Sequence, residues 1–572
     1  MTKANVTKYT AITFAPVQGF IEKSRKLRDL YGASLILSYL SQKLVEEAKK
    51  TTTVISPGLP DLQKGMPNRI LIKGQFSKSQ AEKTLLSAWK RILYECRTWI
   101  EEKLPDYTYY WEREWTNWEN HAWEIFWGTG TESTEAKGII VAMENLETRK
   151  LSRGWTALNW IGESSSLTGT DGIAFPGLGG ETRNPKFVSY HSEKKEIEDF
   201  YAKLAKITEQ ESDTPEGKFI AANEKLSIPE LVKRLVTWHE IQQKIEIEPL
   251  GKGFKEIERK PHIKKAPFWQ IYFLKWAIKS RLYSLIKYFS QDGCLPQTTK
   301  KIPGQWTGWF MGDGDKVGDY LKDLAAKQNG DEEIEKFSHS MRNWGKDFGE
   351  KFNLREKLGR VVYAGGDDFL GIIYSKNPAE PISPFKAFEW LMTLNNKWKE
   401  HKQPLTVSVG FVWVAGSVPQ RDVLQHCREA EKLAKSLGRD RVTIRIVFNS
   451  GQYVQWTCPW DYLEILKKYR DRDGKTFAEW ECKGRKQEDF PNWTHVYSDL
   501  AQLKSRHAIN LNKKQTNVDE RIALELFNIY FDRQKEYLEN QQERIVGKSD
   551  NLELMKWIDG LIHIGWHLCS NI

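Results

Sequence analysis

The sequence predicts an α+β fold: two ferredoxin-like units, the second carrying a Gly-Gly-Asp-Asp turn, with a helical middle region and a helical C-terminal region. Three observations predict it. A β-α-β-β-α order opens the chain and recurs more clearly after residue 305. Two short apolar runs at 360–364 and 369–374 form a hairpin around Gly365-Gly366-Asp367-Asp368. Charged segments with helical periodicity fill roughly 190–300 and 450–572.

The elements follow in order. Residues 8–15 are strand-like, and Gly19–Lys49 carries apolar residues at helical spacing and reads as one long helix. Strands are expected at Thr52–Ser56 and Arg69–Ile72, and a second helix over about Lys78–Lys103. The aromatic stretch 107–127 with its five Trp reads as a buried or a docking segment. Residues 163–188 have loop composition, rich in Gly, Ser and Thr. Lys252–Lys265 is basic, which suits a solvated connector or a nucleic-acid contact. The second unit then runs through strand Trp306–Met311, helix Val317–Phe352, the hairpin, helix 384–401, strand 405–415, helix 419–437 and strand 441–448. The two units form a weak internal duplication. The expected domains are 1–145, 146–304, 305–449 and 450–572.

Length and composition bound the function. At about 100–200 residues per domain, 572 residues make three to five domains. With 40% hydrophobic and 28% charged residues, a sizeable core forms and wholesale disorder is excluded. A net charge of +10 allows a nucleic-acid partner without requiring one. The six cysteines, at 96, 294, 427, 458, 482 and 569, include no CxxC pair, so neither a zinc signature nor a disulfide framework is read. There is no signal-peptide pattern at the N-terminus, and the longest apolar stretch, Leu405–Val418, is too short to span a bilayer. A soluble, cytoplasmic protein with no membrane partner is expected.

The chemistry concentrates in the second unit. A hairpin turn needs one Asp at most; Asp367 beside Asp368 adds like-charge repulsion that a divalent cation relieves through carboxylate oxygens. Gly365 and Gly366 let a phosphate approach the backbone. Met311-Gly312-Asp313-Gly314-Asp315 lies just past the first strand of the unit. In a ferredoxin-like sheet that strand runs antiparallel to the third, which brings Asp313 beside Asp367 and Asp368. Three carboxylates at one sheet edge suit two-metal nucleotidyl transfer. Lys435, in Ala434-Lys-Ser-Leu-Gly-Arg-Asp440, stands where it can meet a triphosphate, although the segment alone is a plain helix end with a Gly stop. Other motifs fail: Gly474-Lys475-Thr476 lacks the first P-loop glycine, with Tyr469 in its place, and His563 and His567 lack a metalloprotease Glu between them.

The segments GWFMGDGDKVGDYL (308–321), YAGGDDFLGII (363–373) and EAEKLAKSLGRDRV (429–442) resemble the palm domain of the large subunit of type III-B (Cmr-type) CRISPR effector complexes. Phe14–Ile21 with Arg25–Ser34 resembles that family's opening motif, and Leu226–Arg234 its middle helical region. The resemblance implies two palm domains and a target-RNA-activated cyclase that joins ATP through 3′–5′ links into cyclic oligoadenylate for antiviral signalling. It implies that Asp313, Asp367 and Asp368 hold Mg2+ or Mn2+ and are catalytic. Gly314, Gly365, Gly366, Lys435 and Arg439 would lie along the phosphates, and Ser340 and Ser34 near the adenines. Implied partners are a CRISPR RNA, target RNA, backbone subunits and a small helical subunit that the C-terminal region contacts. Two departures change the expectation. None of the eleven histidines is followed by Asp, so no HD-type nuclease is expected, and the absence of CxxC makes zinc unexpected. Two other readings compete with the cyclase: the same site joining ATP to another acceptor such as S-adenosylmethionine, and a silent nucleotide-binding scaffold. A free-standing diguanylate cyclase also fits GGDD alone.

Overall fold

The computed structural model describes residues 7–57, 67–131, 135–152, 162–180, 189–209, 219–247, 306–356, 358–375, 381–467 and 493–506, with 508–531 and 538–569 apart from 510, 512–516, 539 and 548–553. The basic segment Lys252–Lys265 and Gly474–Thr476 lie outside the described residues.

The chain opens with β1 (Lys8–Ala15), α1 (Val17–Glu22), α2 (Leu27–Lys49), β2 (Thr53–Ser56), β3 (Ile70–Lys73), α3 (Lys78–Lys103), α4 (Glu112–His121), β4 (Glu124–Thr131) and α5 (Glu135–Leu151). The long helix expected from Gly19 is broken at Lys23–Lys26. The break lets the Asp29 carboxylate, in the first turn of α2, accept the Lys26 backbone N–H at 3.1 Å. The first sheet has the order β2-β3-β1-β4, with each neighbouring pair antiparallel. Its edge strand β4 comes from the end of the Trp-rich stretch. That stretch packs inward: Trp111, Trp115 and Trp123 are buried, and Trp123 meets Phe14 and Trp89 edge-to-face.

The middle region contains α6 (Tyr190–Ile207), α7 (Ile228–Leu235) and α8 (His239–Ile245). The Gly-rich stretch is irregular but tied down over its described part. Ser165 Oγ and Thr168 Oγ1 donate to Glu230 Oε1 at 3.0 and 2.7 Å, and the Tyr201 hydroxyl donates to the carbonyls of Ala174 and Leu226.

The second sheet is built from β5 (Thr307–Gly314), α9 (Val317–Ala325), α10 (Gly330–Glu350), β6 (Gly359–Ala364), β7 (Asp368–Ile373), α11 (Pro384–Lys399), β8 (Val407–Val414), α12 (Gln420–Ser436), β9 (Arg441–Val447) and β10 (Tyr453–Pro459). The order is β10-β9-β8-β5-β7-β6, with β8 and β9 parallel and the other pairs antiparallel. β5 runs three residues further than expected, so Asp313 lies within the strand. β10 falls in a region expected to be helical. It is recruited by β9 on one side and by the C-terminal helices, where Trp557 Nε1 donates to the Thr457 carbonyl at 2.8 Å. Those helices are α13 (Trp493–Ser505), α14 (Asn517–Phe531), α15 (Gln542–Ile545) and α16 (Leu554–Cys569). No helix among the described residues is long and apolar enough to cross a membrane.

The two faces of the second sheet are covered differently. Phe310 and Phe369 point into the core shared with α10, α11 and the C-terminal helices. Trp309, Leu370, Ile372 and Val412 point into a smaller core shared with Leu27, Leu30 and Tyr31 of α2 and with Val423 and Leu424 of α12. Helix α2 thus belongs to both units, and the Tyr31 hydroxyl donates to the Val361 carbonyl of β6 at 2.9 Å. The other side of α2 meets α7 through a buried ionic network. The Arg234 guanidinium is fully buried and bonds both Asp29 oxygens, at 2.9 and 3.0 Å, and Glu224. Arg234 holds the Asp29 carboxyl below its usual range against the upward push of burial.

Removing one partner of such a network leaves a buried charge uncompensated. Arg234→Ala is therefore expected to destabilise the chain by about 3–5 kcal/mol. A urea denaturation series showing a loss under about 1 kcal/mol would remove the network from the list of interactions that join α2 to α7.

Candidate active site

Register places the acidic residues. In β5 and β7, Phe310 pairs with Gly371, and Gly312 with Phe369. A Cβ on Gly371 would stand 2.1 Å from the Phe310 ring, and one on Gly312 would stand 2.2 Å from the Phe369 ring. Each ring lies over the backbone of the opposite glycine, so any shift of register meets a side chain. That register sets Asp313 opposite Asp368. Both residues share strand parity with Trp309 and Leu370, so they stand on the sheet face covered by α2 and α12.

The turn is held on both sides. The Gly314 N–H donates to the Asp367 carbonyl at 2.8 Å, and the Gly365 N–H to the Asp368 carbonyl at 3.1 Å. Arg342 on α10, itself buried, donates to the Gly365 carbonyl at 3.4 Å. The first unit approaches from outside: a Cβ on Gly366 would stand 3.5 Å from Pro67, and Arg69 contributes an attractive charge at Asp367. Lys435, in the last turn of α12, forms ion pairs with Asp313 and, at 2.7 Å, with Glu431. Arg439 follows, exposed, in a left-handed turn.

The structure therefore gathers Asp313, Asp367, Asp368, Gly314, Gly365, Gly366 and Lys435 at one end of the sheet. Ser340 lies away from this group, whereas Ser34 lies on the α2 face that covers the carboxylate side of the sheet. Ser340 is on α10, over the opposite face, and its hydroxyl donates to the His401 carbonyl at 2.7 Å. Ser34 is buried in α2, on the same helical face as Leu27 and Tyr31. Asp315, Arg69, Arg342 and Glu431 also belong to this end of the sheet; the sequence gives the last three no site signal and shows Asp315 only as the second member of an acidic pair. Only Asp315 had a readable signal, its i+2 spacing from Asp313.

Electrostatics mark the carboxylates as a strained group. Burial, then the charge of Asp313, pushes Asp367 up to about 6. Burial in the cleft, then the charges of Asp367 and Asp313, pushes Asp368 up to about 7. Asp368 is exposed on its outer side, so its hydration is only partly lost, and the neighbouring carboxylates are the firmer cause. Burial also raises Asp313, opposed by Lys435. Hard oxygen donors in a like-charged group, beside glycines that add no bulk, fit a divalent cation. Among the described residues, no three His, Cys, Asp or Glu side chains are drawn close enough to hold one as they stand. Lys435 occupies Asp313 instead.

The sign of the pH effect follows. Carboxyls raised above their unfolded value of 3.8 keep protons that the unfolded chain releases. The cluster's contribution to stability is full below pH ~4 and is lost as pH rises through 6–7. A cation restores it only where the carboxylates are ionised. The gain in thermal midpoint on adding Mn2+ is expected to be near zero at pH 5 and at least about 3 °C at pH 8. It is expected to vanish in Asp367→Asn with Asp368→Asn. An equal gain at both pH values would contradict the assignment.

Family models match two segments: the second palm domain of Cas10/Cmr2 over residues 307–443, and the N-terminal domain of the CRISPR-associated protein Cmr2 over residues 9–64. Among solved structures, a chain of the type III-B Cmr-beta complex in its apo state is 12% identical. That alignment covers 99% of this chain and 82% of the other, with a TM-score of 0.55, and shows a shared fold. A Csm1-Csm4 cassette in complex with cA4 is 15% identical, covering 99% and 70%, with a TM-score of 0.45. The cassette with one ATP is 14% identical over the same shares, also at 0.45. A sequence search of curated proteins gives no match.

Proposed function

We propose that this chain, a member of the Cas10/Cmr2 family of type III CRISPR effector large subunits, is a nucleotidyltransferase that joins ATP into cyclic oligoadenylate when its complex holds target RNA. Both sheets are read as ferredoxin-like palms, in which the strand orders β4-β1-β3-β2 and β8-β5-β7-β6 correspond strand for strand. The observation that carries the reading is the placement of Asp313 opposite Asp368 beside Asp367, in a group that burial and mutual repulsion hold partly protonated. A scaffold has no use for three carboxylates kept at such a cost.

Asp313, Asp367 and Asp368 are the residues that would hold Mg2+ or Mn2+. Bound divalent ions would lower the pKa of the attacking ribose hydroxyl and neutralise the triphosphate and departing pyrophosphate. The chain's own residues do the rest. Gly314, Gly365 and Gly366 leave the backbone open to phosphate. Lys435 neutralises Asp313 until a stronger cation takes that carboxylate, and it is then free to pair with the triphosphate, with Arg439 at the rim. Arg69 and Pro67 bring the first palm against the turn, so the acceptor nucleotide lies between the two units. The Cmr-beta chain that shares this fold belongs to a type III-B complex, which supports a multi-subunit assembly; its partners would be a CRISPR RNA, target RNA, backbone subunits and a small subunit on the C-terminal helices.

The test is mass spectrometry of the small-molecule products of the assembled complex with CRISPR RNA, target RNA, ATP and Mg2+ or Mn2+, with and without S-adenosylmethionine. Target-dependent cyclic oligoadenylate is expected. A product needing the second nucleotide would keep the site and change the acceptor, and no product in any condition would favour the scaffold. Asp367→Ala with Asp368→Ala is expected to lower product by about 10³-fold or more, with assembly on a sizing column unchanged.

A further inference from the structure

We propose that Asp315 is a positioning residue for nucleotide binding, acting through the turn Gly438–Asp440 to hold Lys435 and Arg439 beside the carboxylates. The inference rests on the nucleotidyl-transfer reading and deepens it by naming what fixes the cationic side of the site.

Asp315 follows the end of β5 and shares parity with Asp313, so it faces α12. It is 4% exposed and makes no ion pair among the described residues. Its carboxylate instead accepts three neutral donors: Thr406 Oγ1 at 2.8 Å, Ser408 Oγ at 2.7 Å and the Asp440 backbone N–H at 3.0 Å. Its own N–H donates to the Thr406 carbonyl at 2.9 Å. A buried carboxylate satisfied only by neutral donors is costly, and here it constrains a costly backbone. Gly438, Arg439 and Asp440 have φ of 128°, 65° and 49°, and the left-handed region is unfavourable for the last two.

The turn closes α12. The Arg439 N–H donates to the Ala434 carbonyl at 3.2 Å, and Arg441 Nε to the Arg439 carbonyl at 3.1 Å. Lys435 lies in this closed last turn and reaches Asp313. Asp313 and Lys435 are thus joined twice: directly, and through Asp315 and Asp440. Without the second link the last turn of α12 frays, and the lysine loses its fixed distance from the strand.

The experiment uses the assembled, target-bound complex and compares Asp315→Asn, Lys435→Met and the double variant, measuring KM for ATP, kcat and Mn2+ affinity. Asp315→Asn is expected to raise KM about tenfold, with kcat at saturating ATP within threefold and Mn2+ binding unchanged. In the Lys435→Met background it should add less than twofold. A full tenfold addition there, a fall in kcat alone, or an unchanged KM would each overturn the proposal. If Lys435→Met and the Asp367→Asn, Asp368→Asn pair both leave product intact, the nucleotidyl-transfer reading fails, and this inference with it. Should Asp315→Asn not fold, Ser408→Ala decides by the same measurements. It is expected to raise KM about threefold in the native background and not at all beside Lys435→Met; any other pattern overturns the proposal.

Discussion

Two reciprocal glycine–phenylalanine pairs across β5 and β7 are the constraint on which the rest of this site depends. Each ring occupies the space where the opposite residue would carry a side chain, at 2.1–2.2 Å from the Cβ that is missing. The lock acts on the face away from the carboxylates, among the aromatic side chains of α10 and α11. Its effect appears on the other face, because strand parity converts a fixed register into a fixed pairing of Asp313 with Asp368. Apolar packing thereby positions charged groups that would otherwise separate.

The charged groups are balanced locally. Asp313 has Lys435, and Asp367 feels Arg69 from the first unit, while at Asp368 burial and the charges of Asp367 and Asp313 outweigh the weaker pull of Lys435 and push it up to about 7. The same economy appears on the other side of the first turns of α2, where Asp29 and Arg234 are buried and pair with the half-buried Lys26 and Glu224, both signs present. One helix therefore touches a neutralised ionic core on one side and, through Tyr31, the hairpin strand on the other.

Much of this was legible in the sequence. The hairpin, the alternation in β8 and the α3 boundaries follow from local pattern, and the acidic group follows from topology once the first and third strands are paired. What escaped was decided by partners distant in sequence. The turn between α1 and α2 depends on Asp29, which Arg234 holds from about two hundred residues away. β4 hid inside a Trp-rich stretch whose rings fill a core shared with α3 and β1. β10 is a short run after Gly451 that becomes a strand because β9 offers it a free edge. Asp315 looked like a second member of an acidic pair. Only the fold shows that its oxygens are taken by Thr406, Ser408 and Asp440.

β6 is the outermost strand on the hairpin side of its sheet. An uncovered strand there would present free backbone donors and acceptors to any extended peptide, and strand addition would pull directly on the Gly-Gly-Asp-Asp turn. At Val361 both groups are already taken by side chains: its N–H by Asn353 Oδ1 at 2.8 Å, and its carbonyl by the Tyr31 hydroxyl. The adjacent irregularity between Val361 and Tyr363 bends the strand as well. The border of the sheet is thus sealed against edge-to-edge aggregation at the point where a stray strand would distort the carboxylate pair.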